Sequence, residues 1–176
     1  MKKVFVLSLF VALLTTIGAS AQDQKEDKSK RPSPPALAKE TTSSGVTITI
    51  DYSQPSLKGR TVGKEVAPYD GKVWRTGANE ATTFEVSKDV KVEGKPLAAG
   101  KYSLHSIPAE NQWIIIFNKT ANQWGSYEYK EADDALRVTV KPVKASASTE
   151  KMTFTINKAG KVTLLWGNVS VPFTVK

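Results

Sequence analysis

The residues best suited to chemistry in this sequence lie in one segment, residues 52–83, which is rich in glycine, proline, aromatic and charged residues. Arginine offers a planar fork of donors for carboxylate, phosphate or sulfate. A carboxylate or a carboxamide can hydrogen-bond a polar ligand, and an indole can stack on a sugar or an aromatic ring. The candidate ligand contacts chosen on these grounds are Lys58, Arg60, Tyr69, Trp74, Arg75, Asn79 and Glu80.

Several of these residues also have a purely structural interpretation. Trp74 can be a core residue, Arg75 and Glu80 can pair with each other, and 77–79 can be a tight turn that needs a positive φ. Trp124 is a second candidate for stacking on a sugar. The sequence leaves open whether Trp74, Arg75 and Glu80 face the core or a pocket.

Most catalytic constellations are missing from the chain. It has no cysteine and one histidine, His105, which excludes a cysteine nucleophile and a multi-histidine zinc site, and we expect neither metal nor cofactor. No nucleophile elbow, phosphate-binding loop or dinucleotide fingerprint is present. His105 has the opposite strand parity to Tyr102 and Leu104, which predicts a half-exposed surface histidine. A general base is the alternative.

Carboxylates leave one catalytic possibility. A glycan hydrolase needs two carboxyl groups about 5 to 10 Å apart across a cleft. Glu80 is the most attractive candidate, and Asp70 and Glu85 are the other local acids. A separate acidic group matches no EF-hand calcium loop and indicates a solvated loop before a short helix. Its members are Glu128, Glu131, Asp133 and Asp134.

The elements that must position these residues are β-strands. From Gly45 onward apolar and polar residues alternate with a period of two, which is typical of strands with one buried and one wet face. Trp113–Phe117 is apolar on both faces and predicts a central strand, whereas Pro172 predicts an edge position for the last strand. Short helical pieces are predicted only near Pro35–Lys39 and Glu131–Ala135.

The strand pattern predicts the fold class. Alternating runs occur at 46–51, 101–107, 136–141, 151–156 and 169–175, with turn sequences between them. About eight to ten strands at this spacing predict an all-β fold, a single antiparallel β-sandwich or a small barrel.

The chain divides into three predicted parts. Lys2-Lys3, the apolar run Val4–Ile17 and small residues ending at Ala21 predict a signal peptide, residues 1–21, cleaved after Ala21. The apolar run is too short to span a bilayer, and no second long apolar run follows, so no membrane span is expected. Residues 22–35, polar and proline-rich, predict a disordered tether, and residues 36–176 the domain. The expected location is periplasmic or extracellular.

Charge excludes one class of partner. The chain has 25 basic and 17 acidic residues and a net charge of +8, which can indicate a nucleic-acid partner. Its lysines are scattered singly, and no basic helix or basic-aromatic motif is present. We therefore interpret them as solvated surface lysines and expect no nucleic-acid partner.

Several motifs are similar to those of a known family. They are Arg31–Ala36, Tyr52–Pro55, Lys58–Arg60, Pro68-Tyr69, Trp74–Thr82, Ala99–Leu104, Trp113 with Phe117-Asn118, and Trp124-Gly125. In these the chain resembles the exported bacterial family called domain of unknown function 2911. The resemblance implies a secreted or periplasmic β-rich domain. It implies no activity, and no catalytic or binding residue is carried over from it.

Two main functional hypotheses follow. The first is a non-catalytic binding or interaction module for a carbohydrate or a small anionic ligand. The alternative is a carboxylate-dependent hydrolase acting on envelope or extracellular glycans. A third possibility is a structural protein whose partner is another envelope protein, which an exposed sheet edge or apolar patch would favour.

Overall fold

The structure, a computed structural model, describes residues 26–176 and is all-β, as predicted. The predicted signal peptide and residues 22–25 of the predicted tether lie outside the described residues. Short 3₁₀ turns lie at Lys28–Lys30 and Glu131–Asp133. The strands are β1 (Pro35–Thr41), β2 (Thr47–Ser53), β3 (Thr83–Val86), β4 (Val90–Val92), β5 (Lys95–Leu97), β6 (Gly100–Pro108), β7 (Trp113–Asn118), β8 (Asp134–Val140), β9 (Val143–Ile156) and β10 (Lys161–Thr174).

Six strands form one antiparallel sheet in the order β1-β2-β3-β6-β7-β8, which we call the main sheet. The predicted central strand is confirmed, because β7 lies between β6 and β8. The chain leaves β2 at Ser53 and re-enters the sheet at Thr83. The segment that carries most of the candidate residues is therefore an insertion between two paired strands.

Two hairpins form the second layer. One joins the long strands β9 and β10, and the other joins β4 and β5. A bridge between Val92 and Val175 connects the hairpins. The pairing of β10 with β9 ends at Ser170, so Pro172, which has no N–H, follows the last paired residue. β10 belongs to a two-stranded sheet, as the edge position predicted from Pro172 requires.

Aromatic side chains fill the space between the layers. The ring of Trp74 stacks on that of Trp166, with centroids 5.8 Å apart, and meets Trp113 edge-on at 6.4 Å. Phe84 and Phe117 from the main sheet both contact Phe173 of β10. Burial of these rings, together with the aliphatic side chains around them, supplies most of the favourable free energy of folding.

The helix predicted near Pro35–Lys39 is wrong, because these residues belong to β1. Ala36 and Ala38 lie on its inner face and pack against the core, whereas Leu37 is exposed. The pairing of β1 with β2 therefore outweighs the helix preference of its alanines. The short helix predicted near Glu131–Ala135 is present as the 3₁₀ turn Glu131–Asp133.

The outer face of the main sheet, which points away from the hairpins, is covered over only half of its width. Residues 119–133, which we call the covering segment, lie across β6, β7 and β8. His105 of β6 is fully buried beneath it, with its ring 5.0 Å from that of Tyr129. The predicted half-exposed histidine is therefore wrong, because strand parity shows which face a residue occupies and not what covers that face.

No helix of residues 26–176 has the length and apolar character that a membrane crossing requires.

A polar cleft on the main sheet as the candidate functional site

A polar cleft of about 550 Å³ lies where the covered half of the outer face meets the open half. Its floor includes Asp51 of β2 and Thr83 of β3, which face each other across the sheet. The pairing continues from Thr83 to Ser103 of β6. A row of polar side chains thus runs across the sheet, and the cleft opens over its β2–β3 end.

The covering segment forms one wall of this cleft. Its Gln123 donates hydrogen bonds from Nε2 to Ser103 Oγ (3.0 Å) and to the Thr120 carbonyl (2.8 Å). The backbones of Trp124 and Glu80 form a bridge that ties the segment to the insertion before β3. Trp124 lines the cleft with 54% of its surface exposed. The wall therefore presents an indole to solvent on an anchored backbone.

The N-terminal residues form a second wall. Within the segment predicted to be a disordered tether, residues 26–34 lie against the domain. Lys28 Nζ lies 2.8 Å from Glu80 Oε1, and Arg31 Nη1 lies 2.8 Å from Glu80 Oε2. Asn79 Nδ2 donates to the Ser33 carbonyl at 3.0 Å. Two of the candidate ligand contacts, Asn79 and Glu80, thus hold the chain's own N-terminal segment in place.

Glu80 is held in its ionised form. Burial raises its pKa, but the hydrogen bonds from Lys28 and Arg31 outweigh burial, so the pKa lies below its usual value. A general acid needs a raised pKa. Glu80 is therefore poorly suited to protonate a leaving group.

Trp74 lies in the core and not in a pocket. It is 6% exposed, and its Nε1 donates to the Gly77 carbonyl at 3.1 Å. The turn that follows needs positive φ at Thr76 and Asn79 but not at Gly77. A Cβ on Gly77 would lie 2.7 Å from Thr82 Oγ1, so this glycine is required for space.

Three other candidate residues lie elsewhere on the insertion. The backbone N–H of Lys58 donates to Glu150 Oε1 of β9 at 2.7 Å. The guanidinium of Arg60 donates to the Leu57 and Ser56 carbonyls, so it fixes its own loop. Tyr69 is 46% exposed and does not line the cleft. Of the seven candidates, Glu80 is the one that the structure places along the cleft.

Arg75 lies beside the covering segment. One of its terminal nitrogens would be 3.2 Å from a Cβ added to Gly125, and its Nε is buried without a hydrogen-bond partner. It does not pair with Glu80, which binds Lys28 and Arg31 instead. His105 is also enclosed there, and burial lowers its pKa to about 4. Enclosed in this way, His105 cannot reach a substrate as a general base.

The remaining acids are dispersed. Asp70 lines a separate cleft of about 390 Å³ that also includes Trp113, and Glu85 is exposed opposite Lys101 on β6. Asp134 is bonded to Tyr129 Oη (2.7 Å) and Arg137 Nε (2.6 Å) beneath the covering segment. Neither Asp70 nor Glu85 therefore lines the cleft with Glu80, and the two other acids that line it are Asp51 and Glu128.

Comparison with protein families gives one match. The model of the family described as "Protein of unknown function (DUF2911)" matches residues 33–175, which include the core, the insertion and most of the cleft. The chain belongs to the DUF2911 family. No curated protein and no solved structure matches it.

In this DUF2911 protein the cleft contains charged residues that were not among the candidate ligand contacts. They are Lys28, Asp51, Lys101 and Glu128. Asp51 and Lys101 occupy outward positions of alternating strands, so strand parity could have placed them on one face. No sequence signal places Lys28 or Glu128 beside them, because both arrive through loops.

Across residues 26–176, histidine, aspartate and glutamate side chains form no group of three or more that could hold an ion.

Proposed function

We propose that this protein is an exported carbohydrate-binding module and that the cleft beside Trp124 is its binding site. One observation carries the proposal. A tryptophan that is 54% exposed lies on an anchored wall of a polar cleft. An exposed indole offers a flat apolar face for a sugar ring, and the surrounding polar side chains can hydrogen-bond its hydroxyl groups.

Two features favour binding over hydrolysis. Glu80 is held ionised by Lys28 and Arg31. The acid that a glycosidase uses to protonate the leaving oxygen needs the opposite perturbation. The cleft also has more carboxylates than ammonium groups, which favours a sugar over a small anion.

The test is titration calorimetry with a panel of short oligosaccharides. We expect binding by the wild type and a loss of at least about tenfold in affinity for Trp124→Ala, because stacking and apolar burial on the indole would be lost. Tyr69→Ala is the matched control, since it removes an exposed aromatic side chain outside the cleft. Equal effects of the two substitutions, or no binding of any oligosaccharide, would contradict the proposal.

Hydrolysis is tested with the same ligands. Chromatography after prolonged incubation should recover every oligosaccharide intact. If the wild type cleaves an oligosaccharide and Glu80→Gln does not, the protein is a hydrolase and the binding proposal is wrong.

The predicted export is tested separately. Mass spectrometry of the protein recovered from its native source should give a mature chain beginning at Gln22. A chain that retains Met1 would contradict export by a cleaved signal.

A further inference from the structure

The charge of the cleft is opposite to that of the chain. The chain carries 25 basic and 17 acidic residues. Three carboxylates, Asp51, Glu80 and Glu128, line the cleft against the two ammonium groups of Lys28 and Lys101. This local reversal of charge in a basic protein means that the cleft attracts cations more than the rest of the surface does.

The ion pairs within the site sharpen this difference. Lys28 is committed to Glu80, at 2.8 Å, and Arg31 is shared between Glu80 and Glu26, so these two cations and two carboxylates balance. Asp51 and Glu128, both exposed, form no ion pair with another residue of the described chain, and neither does Lys101. Two carboxylates against one ammonium group are thus left to interact with a ligand.

Gln123 provides a second and independent observation. It lines the cleft, is 7% exposed, and has no hydrogen-bond partner for Oε1. The orientation of its amide is fixed, because the Thr120 carbonyl can only accept and must therefore face Nε2. A buried acceptor left unpaired is unfavourable. Oε1 is itself enclosed, so a small shift of the side chains over it would let an N–H or O–H group of a ligand supply the missing donor.

We infer that the preferred ligand is an oligosaccharide of hexosamine units with free, protonated amino groups. The inference rests on the proposed function, because it assigns the sugar class to the same cleft. Trp124 would receive the apolar face of a sugar ring, Asp51 and Glu128 would attract the ammonium groups, and Gln123 would accept a hydrogen bond. A neutral sugar would contact Trp124 and Gln123 but gain no attraction from the two carboxylates. An anionic sugar would be repelled by those carboxylates.

The test compares three β-1,4-linked tetrasaccharides that differ at C2 of each ring. The glucosamine tetramer carries ammonium groups, the N-acetylglucosamine tetramer acetamides, and cellotetraose hydroxyls. We expect the glucosamine tetramer to bind at least about fivefold more tightly than the others at low ionic strength. The preference should shrink when salt is raised to about 0.5 M, because exposed charges are screened.

Charge-removing variants locate the preference. Asp51→Asn and Glu128→Gln should each weaken binding of the glucosamine tetramer by about two- to fivefold and leave cellotetraose unchanged. Glu110→Gln is the matched control, since it removes an exposed carboxylate from the connection between β6 and β7, outside the cleft. The side-chain amide signals of Gln123 in a ¹⁵N–¹H spectrum should shift on saturation with the glucosamine tetramer.

The outcomes separate the two proposals. Equal binding of the three tetramers, with all of it lost in Trp124→Ala, would overturn the hexosamine inference and leave the carbohydrate site standing. Binding of the glucosamine tetramer that no cleft variant weakens, or an unmoved Gln123 signal, would overturn the inference by placing the interaction elsewhere. No binding of any tetramer would overturn both.

Discussion

Replacing Trp74 distinguishes a core residue from a ligand contact, the question that the sequence leaves open. Its indole is 6% exposed, stacks on Trp166 and donates a hydrogen bond to the Gly77 carbonyl. Truncation of a buried tryptophan to alanine costs about 3–5 kcal/mol. The Gly77 carbonyl would also lose its donor, so we expect the upper part of this range for Trp74→Ala.

The assay is urea unfolding followed by far-UV circular dichroism. With an m-value of about 2 kcal/mol per molar urea, a loss of about 4 kcal/mol lowers the unfolding midpoint by about 2 M. This is a large part of the stability of an ordinary domain, so Trp74→Phe is included as a milder variant. We expect it to cost about 2 kcal/mol, because a ring remains but the N–H donor is lost.

The matched control is Trp124→Ala, the same substitution at an exposed position. We expect a change within about 0.5 kcal/mol. The reasoning is refuted if Trp74→Ala leaves the midpoint close to that of the wild type, or if the two substitutions cost the same. A stable Trp74→Ala protein that has lost oligosaccharide binding would make Trp74 a ligand contact.

Three further predictions follow. Between pH 6.5 and about 4, only the unfolded wild type takes up a proton on His105, so the free energy of unfolding of the wild type falls by at most about 3 kcal/mol as the pH drops. His105→Leu should remove this part of the pH dependence. Titration of the single histidine by proton NMR checks it, and a pKa near 6.5 would contradict the burial. Glu80→Gln should speed proteolysis within residues 26–34 at neutral pH. The wild type should lose its protection as the pH falls below about 4.5, since a carboxylate with a lowered pKa stabilises only while ionised; unchanged cleavage would contradict the ion pairs. Gly160→Ala should lower the free energy of unfolding in urea by about 1–3 kcal/mol more than Gly94→Ala does. Both glycines have φ near +79°, but a Cβ at residue 160 would lie 1.9 Å from the Val175 carbonyl oxygen. Equal losses would contradict this close approach.

The alternation of apolar and polar residues predicted β2, β6, β8, β9 and the second half of β10, and the unbroken apolar run Trp113–Phe117 predicted the central position of β7. It could not predict the partners of those strands, because pairing across the sheet depends on residues far apart in the sequence. β1 shows this limit. Its alanines favour a helix in isolation, and only the pairing with β2 makes the segment a strand.

The candidate site could be predicted less well, for a related reason. Among the groups that residue type singled out, Glu80 and Trp124 are the two that line the cleft. The other residues chosen from the insertion have the right chemistry, but Trp74 turns inward and Arg60 bonds to its own loop. Lys28, Asp51 and Glu128 come from three separate parts of the chain and meet only in the folded protein.

The half-covered outer face gives the main sheet two kinds of backbone environment. Amide hydrogens in β6 and β7 are shielded by the core on one side and by the covering segment on the other, whereas those of β1 border solvent. Hydrogen–deuterium exchange should therefore slow progressively from β1 toward β7. The cleft lies between the slowly exchanging strands and β1. A ligand bound there would therefore slow the exchange of amide hydrogens in β2 and β3, and the amides that slow down would show where it binds.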